Sequence, residues 1–434
     1  MIPVWFRSAV VLPLVSCLVA LTASAALAAA GDLDPTFGGD GEVITHFTRS
    51  SDDFASAVAL QSNGKIVAAG SSLPSGDSRG RFAVARYRSN GRLDRTFGGD
   101  GRVRTHFARR SHDEGFGAAI QTDGKIIVAG HSNGRFALAR YLANGALDPS
   151  FGGDGKVTTH FGSGREDVAS AVLIQADGGI IAVGFSSSRG GTPTKFALAR
   201  YTTEGSLDKT FGGDGKVLTH FARGSDDVAW AAALQADGKI VVAGWTIAGF
   251  HPSRFALARY NPNGSLDKTF GGDGQVKTGH FTRLGGELDD QAQAVAIQPD
   301  GKLVAAGGAG FVDCHDRIAL ARYNPNGRLD PSFSGDGKTT TRFSRRSCDE
   351  ANGISIQTDG KIVIAGDTND SSALARYQGD GNLDASFGGD GKVRTSFSRG
   401  YISEADGVAL QSDGRVVTAG SGGGGFGLAR YLAT

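Results

Sequence analysis

A chain of 434 residues with 45 Lys and Arg against 44 Asp and Glu has a formal net charge of +1, which offers no overall electrostatic footprint for nucleic acid. Its 67 glycines are about twice the usual share of roughly 7%, yet they stand at fixed positions and not in runs, which argues for ordered turns and against a disordered chain. Three cysteines exclude a disulfide scaffold.

Residues 1–30 read as an export signal: Arg7, an apolar run from Ala9 to Leu21, then small residues from Ala23 to Ala30. Cleavage after Ala28 or Ala30 leaves the remainder to begin at Gly31. A lipoprotein form modified at Cys17, or an uncleaved anchor, are the alternatives. No later stretch approaches the roughly 20 apolar residues of a membrane span. The exported product then keeps Cys314 and Cys348 in a compartment where disulfides persist. A bond between them closes a loop of about 34 residues, worth roughly 3 to 4 kcal/mol.

After the signal, three phrases recur seven times in fixed order, at a period of 54 to 63 residues. The first is "LDKTFGGDGKVLTHF" and its copies, opening at Leu33, Leu93, Leu147, Leu207, Leu266, Leu329 and Leu383. The second is "ALQADGKIVVAG", and the third "RFALARYNPNG". Apolar runs around Asp-Gly and Asn-Gly are strong hairpin signals, so each period predicts four antiparallel strands, a to d. Strands a to c are apolar on both faces, as sheets packed between neighbours should be. Strand d alternates charge, as in Arg102 and Arg104, which suits an outer edge.

Repeated four-stranded sheets of this kind predict an all-β, seven-bladed β-propeller over residues 31–434. The repeat begins on a lone d strand, residues 33–47, and ends on a c strand, Phe426–Tyr431. Pairing these two completes the seventh blade and closes the ring, whereas an open solenoid needs polar caps.

Through "LDxTFGGDG", "QxDGKIVxAG" and "FALARY" the chain resembles the delta-60 repeat family of bacterial exported, propeller-like proteins. The resemblance covers residues 31–434. It implies the repeat architecture and no shared reaction.

The "GGDG" aspartates, Asp40 to Asp390, read as structural turns, because one carboxylate per blade cannot supply the six to eight oxygens calcium wants. Paired acids in the d-to-a loops form a second group: Asp52 with Asp53, Glu166 with Asp167, Asp226 with Asp227, Asp289 with Asp290, Asp349 with Glu350. They read as blade-to-blade fastenings, together with His46, His106, His160, His220 and His280. The alternative is an acidic ring holding a divalent cation such as Ca2+ in a channel-mouth hydrolase or lyase. The b-to-c loops break the sevenfold pattern, being long in blade 1 (71–80), blade 3 (185–194), blade 4 (245–253) and blade 5 (308–316). Trp245, Phe250, His251 and Phe311 on this crest are the candidate ligand-binding residues for a protein or glycan partner at the cell envelope. No G-x-S-x-G, H-E-x-x-H or phosphate-binding glycine loop occurs. The expectation is therefore a secreted or periplasmic, non-catalytic scaffold with no cofactor.

Overall fold

The computed structural model describes residues 28–433 apart from 78, 189–192, 250, 280, 282–288, 311–315, 346, 370 and 398–402. The export-signal reading, Phe250, His280, Phe311 and Cys314 thus lie outside the described residues. Seven four-stranded antiparallel sheets account for the architecture, and among the described residues no helix occurs and none is long and apolar enough to cross a membrane.

Blade 4 shows why the repeat folds this way. Its strands are a Asp226–Leu234, b Ile240–Ile247, c Arg254–Tyr260 and d Gln275–Thr278. Strands a and b meet at the Asp-Gly turn, where Gln235 N donates to Lys239 O at 2.8 Å and Asp237 Oδ1 receives Lys239 N at 3.2 Å. The first four residues of strand b, Ile240–Ala243, are wholly buried because alternate side chains serve two neighbours. Val241 and Ala243 pack with Leu303 and Ala305 of blade 5, while Ile240 and Val242 pack with Ile181 and Val183 of blade 3. A strand sandwiched on both faces must read as a continuous apolar run.

The segment after the Asn-Gly turn differs from a simple hairpin. Only one bridge, Tyr260 with Leu266, follows the turn; the chain then loops through "FGGDG" before Gln275–Thr278 rejoins strand c. Gly212, Gly213 and Gly215 of the equivalent loop in blade 3 all have φ between 62° and 92°, a region costly for residues with a Cβ.

Two joints repeat at each blade boundary. The strand-c arginine is buried, or half-buried at Arg200, against the aspartate of the next phrase and reaches a carbonyl one blade on: Arg86 to Ala143, Arg140 to Thr203, Arg200 to Pro262, Arg259 to Pro325, Arg322 to Gly379, Arg376 to Ala433. The strand-c tyrosine donates to a threonine one blade back, as Tyr260 to Thr219 at 2.8 Å. Burial pushes all seven of these phenols up.

Closure uses the same parts. Glu42–Thr45 pairs antiparallel with Gly425–Tyr431, placing Glu42 opposite Ala429 and Thr45 opposite Phe426. Arg430 bonds Asp34 at 2.9 Å and Ser89 O of blade 1, and Tyr87 donates to Thr45 at 2.9 Å. The N-terminal segment therefore completes blade 7 and removes its open edge.

Candidate functional site

Strand a of blades 1 to 6 slips register by one residue, between Ala55 and Ala57 in blade 1 and between Ala229 and Ala231 in blade 4. The slip is forced from strand b. A Cβ on Gly244 would stand 1.9 Å from Val228 O, so the strand-b glycine lets strand a crowd in and bulge. A bulge re-aims its extra residue, here toward the central channel. A cavity of about 230 Å3 is lined by Ser56, Phe116, Ser170, Trp230, Gln293 and Asn352, the six bulge residues. Asp406, between Ala405 and Gly407, holds the matching place in blade 7.

A second ring stands one step toward the loops, at the residue after the strand-b glycine: Ser71, His131, Phe185, Trp245, Gly308, Asp367 and Ser421. The framework repeats sevenfold, yet these two rings do not. Blades 2 to 4 contribute an aromatic arc, with Phe185 edge-on to Trp230 at 5.8 Å and Phe116 stacked on His131 at 6.0 Å. Trp245 Nε1 is buried with no acceptor among the described residues. Across the channel, blades 5 to 7 contribute amides and carboxylates. Gln293 donates to Glu350, and Asn352 Nδ2 donates to Asp367 at 3.0 Å and to Asp406 at 3.4 Å.

Among the described residues no cation forms an ion pair with Glu350, Asp367 or Asp406. Burial first, then Asp367, Asp316 and Glu404, push Glu350 up to about 7. Burial with the charges of Glu404 and Asp349 takes Asp367 to about 6. Burial and the carboxylates of Glu404, Asp367 and Glu350 take Asp406 to about 8. Groups raised in the folded state bind more protons there than in the unfolded chain, so the stability they contribute is whole below about pH 4 and is lost as pH rises through 6 to 8. Asp406→Asn is expected to melt with the parent near pH 3 and about 2 to 4 °C above it at pH 9. Melts followed by circular dichroism across this range check it; a constant difference at every pH refutes the assignment.

One cluster suits a metal in composition. The ligand atoms of His112, Glu114 and His131 lie within 4.8 Å of one another, two imidazoles and a carboxylate of the kind zinc takes. The hydrogen bonding specifies something narrower. Gly80 N donates to His112 Nδ1 at 2.9 Å, so the His112 proton sits on Nε2, which faces Glu114 at 2.9 Å. His131 Nε2 meets the other oxygen at 3.3 Å. An ion binds His112 only if that proton moves to Nδ1 and the Gly80 amide lets go. In the resting geometry this is a hydrogen-bonded triad. The hydrogen bond from His131, against burial, together with the two imidazoles holds Glu114 below the usual carboxylate range.

Apart from Glu350, the acids singled out from sequence stand elsewhere. Asp53 and Asp227 are wholly buried and close their own d-to-a loops: Asp53 accepts Phe47 N at 2.9 Å, and Asp227 accepts Phe221 N at 3.1 Å and Ser225 Oγ at 2.8 Å. Asp290 is buried as well. Asp226 accepts Thr194 N at 2.9 Å and Asp289 accepts Ser253 N at 2.6 Å, each fastening the preceding blade; Asp52 is exposed. The carboxylates that do converge are Glu350, Asp367, Glu404 and Asp406. His106 and His220 lie 3.9 Å and 3.7 Å from the buried Asp113 and Asp227. Each "GGDG" aspartate caps its own turn, as Asp214 Oδ1 receiving Lys216 N at 3.0 Å.

Trp245 is a residue of strand b and not of a loop, because that strand continues to Ile247; His251 is exposed on the segment beyond it. Cys348 is disulfide-bonded. The mouth residues Phe116, Trp230, Asp367 and Asp406 escaped the sequence reading. Their signal is the one variable letter after the glycine of "VAG", together with the residue of strand a that the bulge exposes.

Six stretches, 61–97, 121–151, 175–211, 235–270, 298–333 and 357–387, match the family described as "Domain of unknown function (DUF5122) beta-propeller", one in each of blades 1 to 6. No curated protein matches the chain. Among solved structures, the chain is similar to the selenomethionine-substituted virginiamycin B lyase from Staphylococcus aureus, at 9% identity over 90% of this chain and 98% of that one, with a TM-score of 0.50. It is also similar to YCF48 bound to D1 peptide, at 12% identity over 94% and 98% of the two chains, with a TM-score of 0.49. At 9% identity the likeness to the lyase speaks for the fold alone.

Proposed function

For a chain that belongs to a β-propeller repeat family, we propose the role of an exported, non-catalytic binding scaffold that seats a glycan at the channel mouth. The delta-60 resemblance supports export, and with it a partner at the cell envelope. One observation carries the reading: Phe116 and Trp230 share one cavity with Gln293 and Asn352, with Phe185 packed on Trp230 and the two amides bonded to Glu350, Asp367 and Asp406. Aromatic faces take the apolar side of a sugar ring, and a few placed polar groups take its hydroxyls. Purified protein on a glycan array is expected to retain a ligand, and the Trp230→Ala, Trp245→Ala pair to weaken it by about 30-fold or more, the loss of two buried anchors. Unaltered binding by that pair sinks the reading.

A hydrolase or lyase at the same mouth is the second reading. It is favoured by Glu350 at about 7 and Asp367 at about 6, since a general acid works best with a pKa near the operating pH. Ligand turned over, and not merely held, with turnover lost in Glu350→Gln, decides for it. The divalent cation of this reading, drawn from Asp52, Asp226 and Asp289, has poor support, because Asp226 and Asp289 already hold backbone amides.

A further inference from the structure

The balanced net charge hides a segregation. Residues 79–110 hold ten arginines, no lysine and two aspartates, which leaves 35 basic against 42 acidic side chains in the rest of the chain. The segment runs along strands c and d of blade 1, Arg81–Tyr87 and Arg102–Thr105, and the turns around them. Arg86 is spent in the blade joint with Asp94, Arg79 pairs with Asp77, and Arg102 pairs with Asp100. Arg88, Arg92, Arg95 and Arg104 are exposed, and no ion pair among the described residues engages them. Burial and the neighbouring charge of Arg81 depress the Arg104 guanidinium, a sign of cationic crowding.

The repeat does not require this. The place of Arg88 is taken by Leu142, Thr202 and Asn261 in the next three blades, and that of Arg95 by Pro149, Lys209 and Lys268. Where repeats share a framework, a charge pattern confined to one blade serves something other than folding. The pattern also coincides with space. A groove of about 930 Å3 lies between this face and the outer strand of the closing blade, Glu42–Thr45, and Arg88, Arg92, Arg95 and Arg102 line it.

We propose that this groove binds an acidic polysaccharide, with the blade 1 arginines pairing carboxylate or sulfate groups along the polymer. The choice of arginine over lysine fits oxyanions that present two oxygens side by side, as carboxylates and sulfates do, which the guanidinium fork meets with two parallel bonds. No aromatic ring lines the groove, and stacking platforms are what single-stranded nucleic acid uses. The site is separate from the channel mouth, lying on outer and not innermost strands, so it stands or falls independently of the glycan reading above.

The test uses the full chain against heparin and polygalacturonate, with dextran and single-stranded DNA as comparators, by titration calorimetry at several salt concentrations. Binding to both acidic polymers and not to dextran is expected, weakening about tenfold or more between 50 and 200 mM salt as released counterions dictate. The Arg88→Ser, Arg92→Ser, Arg95→Ser variant is expected to lose about tenfold or more in affinity with an unchanged melting curve, since these side chains are exposed; a Lys209→Ser, Lys268→Ser variant is expected to bind as the parent does. Equal binding to dextran, full binding by the triple variant, or DNA displacing both polymers overturns the proposal, the last in favour of a nucleic-acid face.

Discussion

Removal of residues 31–47 is expected to abolish the single cooperative unfolding transition. The segment supplies the four-residue strand Glu42–Thr45 that covers strand c of blade 7, the Asp34 carboxylate and Thr36 hydroxyl that receive Arg430, and the Phe37 ring 4.9 Å beneath that guanidinium. Without it Arg430, only 4% exposed, is left a buried cation without its carboxylate, which by itself costs about 3 to 5 kcal/mol. Phe426 and Leu428, wholly buried in the closed ring, come to lie beside an open strand edge, and such edges invite association with other chains. Unfolding of the truncated protein should therefore be broad, differ between circular dichroism and tryptophan fluorescence, and depend on concentration. Addition of a peptide of residues 31–47 should sharpen it. A sharp, coincident transition in the truncated chain alone would falsify the closure as the source of cooperativity.

Asp267→Ala is the second variant with a large expected effect, a loss of about 3 to 5 kcal/mol on urea unfolding. Arg259 and Asp267 are each 6% exposed and meet at 2.8 Å. The same guanidinium donates to Pro325 O at 2.5 Å and Thr269 Oγ1 at 3.0 Å and lies 4.8 Å over the Phe270 ring. Removing the carboxylate leaves a desolvated charge at the joint between blades 4 and 5. Replacing both partners, as Arg259→Met with Asp267→Leu, should restore most of the loss, because two apolar groups of similar size leave nothing uncompensated. By contrast Asp273→Ala, in the exposed "GGDG" turn of the same blade, removes one bond to Gln275 N and should cost about 0.5 kcal/mol or less. Burial opposes the charge on Asp267, yet hydrogen bonds from Thr269 and the cations Arg259 and Lys239 hold its pKa low. The joint therefore keeps its strength above the ordinary aspartate range and loses it as pH falls below about 4. Equal losses at Asp267 and Asp273 would show that the joint contributes nothing special.

The two variants separate two parts of one phrase. In "LDKTFGGDG" the first aspartate is a buried partner of the previous strand's arginine, and the second caps its own turn. The sequence reading reached only the second, the "GGDG" aspartate, as a structural turn. The arginine of "ARY" and the aspartate of "LD" are eight residues apart in blades 1 to 6 and at opposite ends of the chain in blade 7, and nothing in that spacing says that a neighbouring blade's carbonyl completes the joint.

The sequence by itself determined the strand order, the blade count and the closure, because each depends on local chemistry that recurs seven times: Asp-Gly and Asn-Gly turns, glycines at positive φ, and apolar runs bounded by both. The two unlike ends could be matched without coordinates since each was half of a known pair. Tertiary structure alone decided which residues face the channel. Regular alternation along strand a turns Trp230 or Asn352 into the sheet face, and only the bulge opposite the strand-b glycine turns it inward. A one-residue slip reverses every assignment downstream of it, so no periodicity reveals the two arcs. Likewise Glu350, Asp367 and Asp406 become neighbours, and exchange their charges for protons near neutral pH, because two blades bring them together in a dry place. Burial and proximity are properties of the ring, and no single repeat contains them.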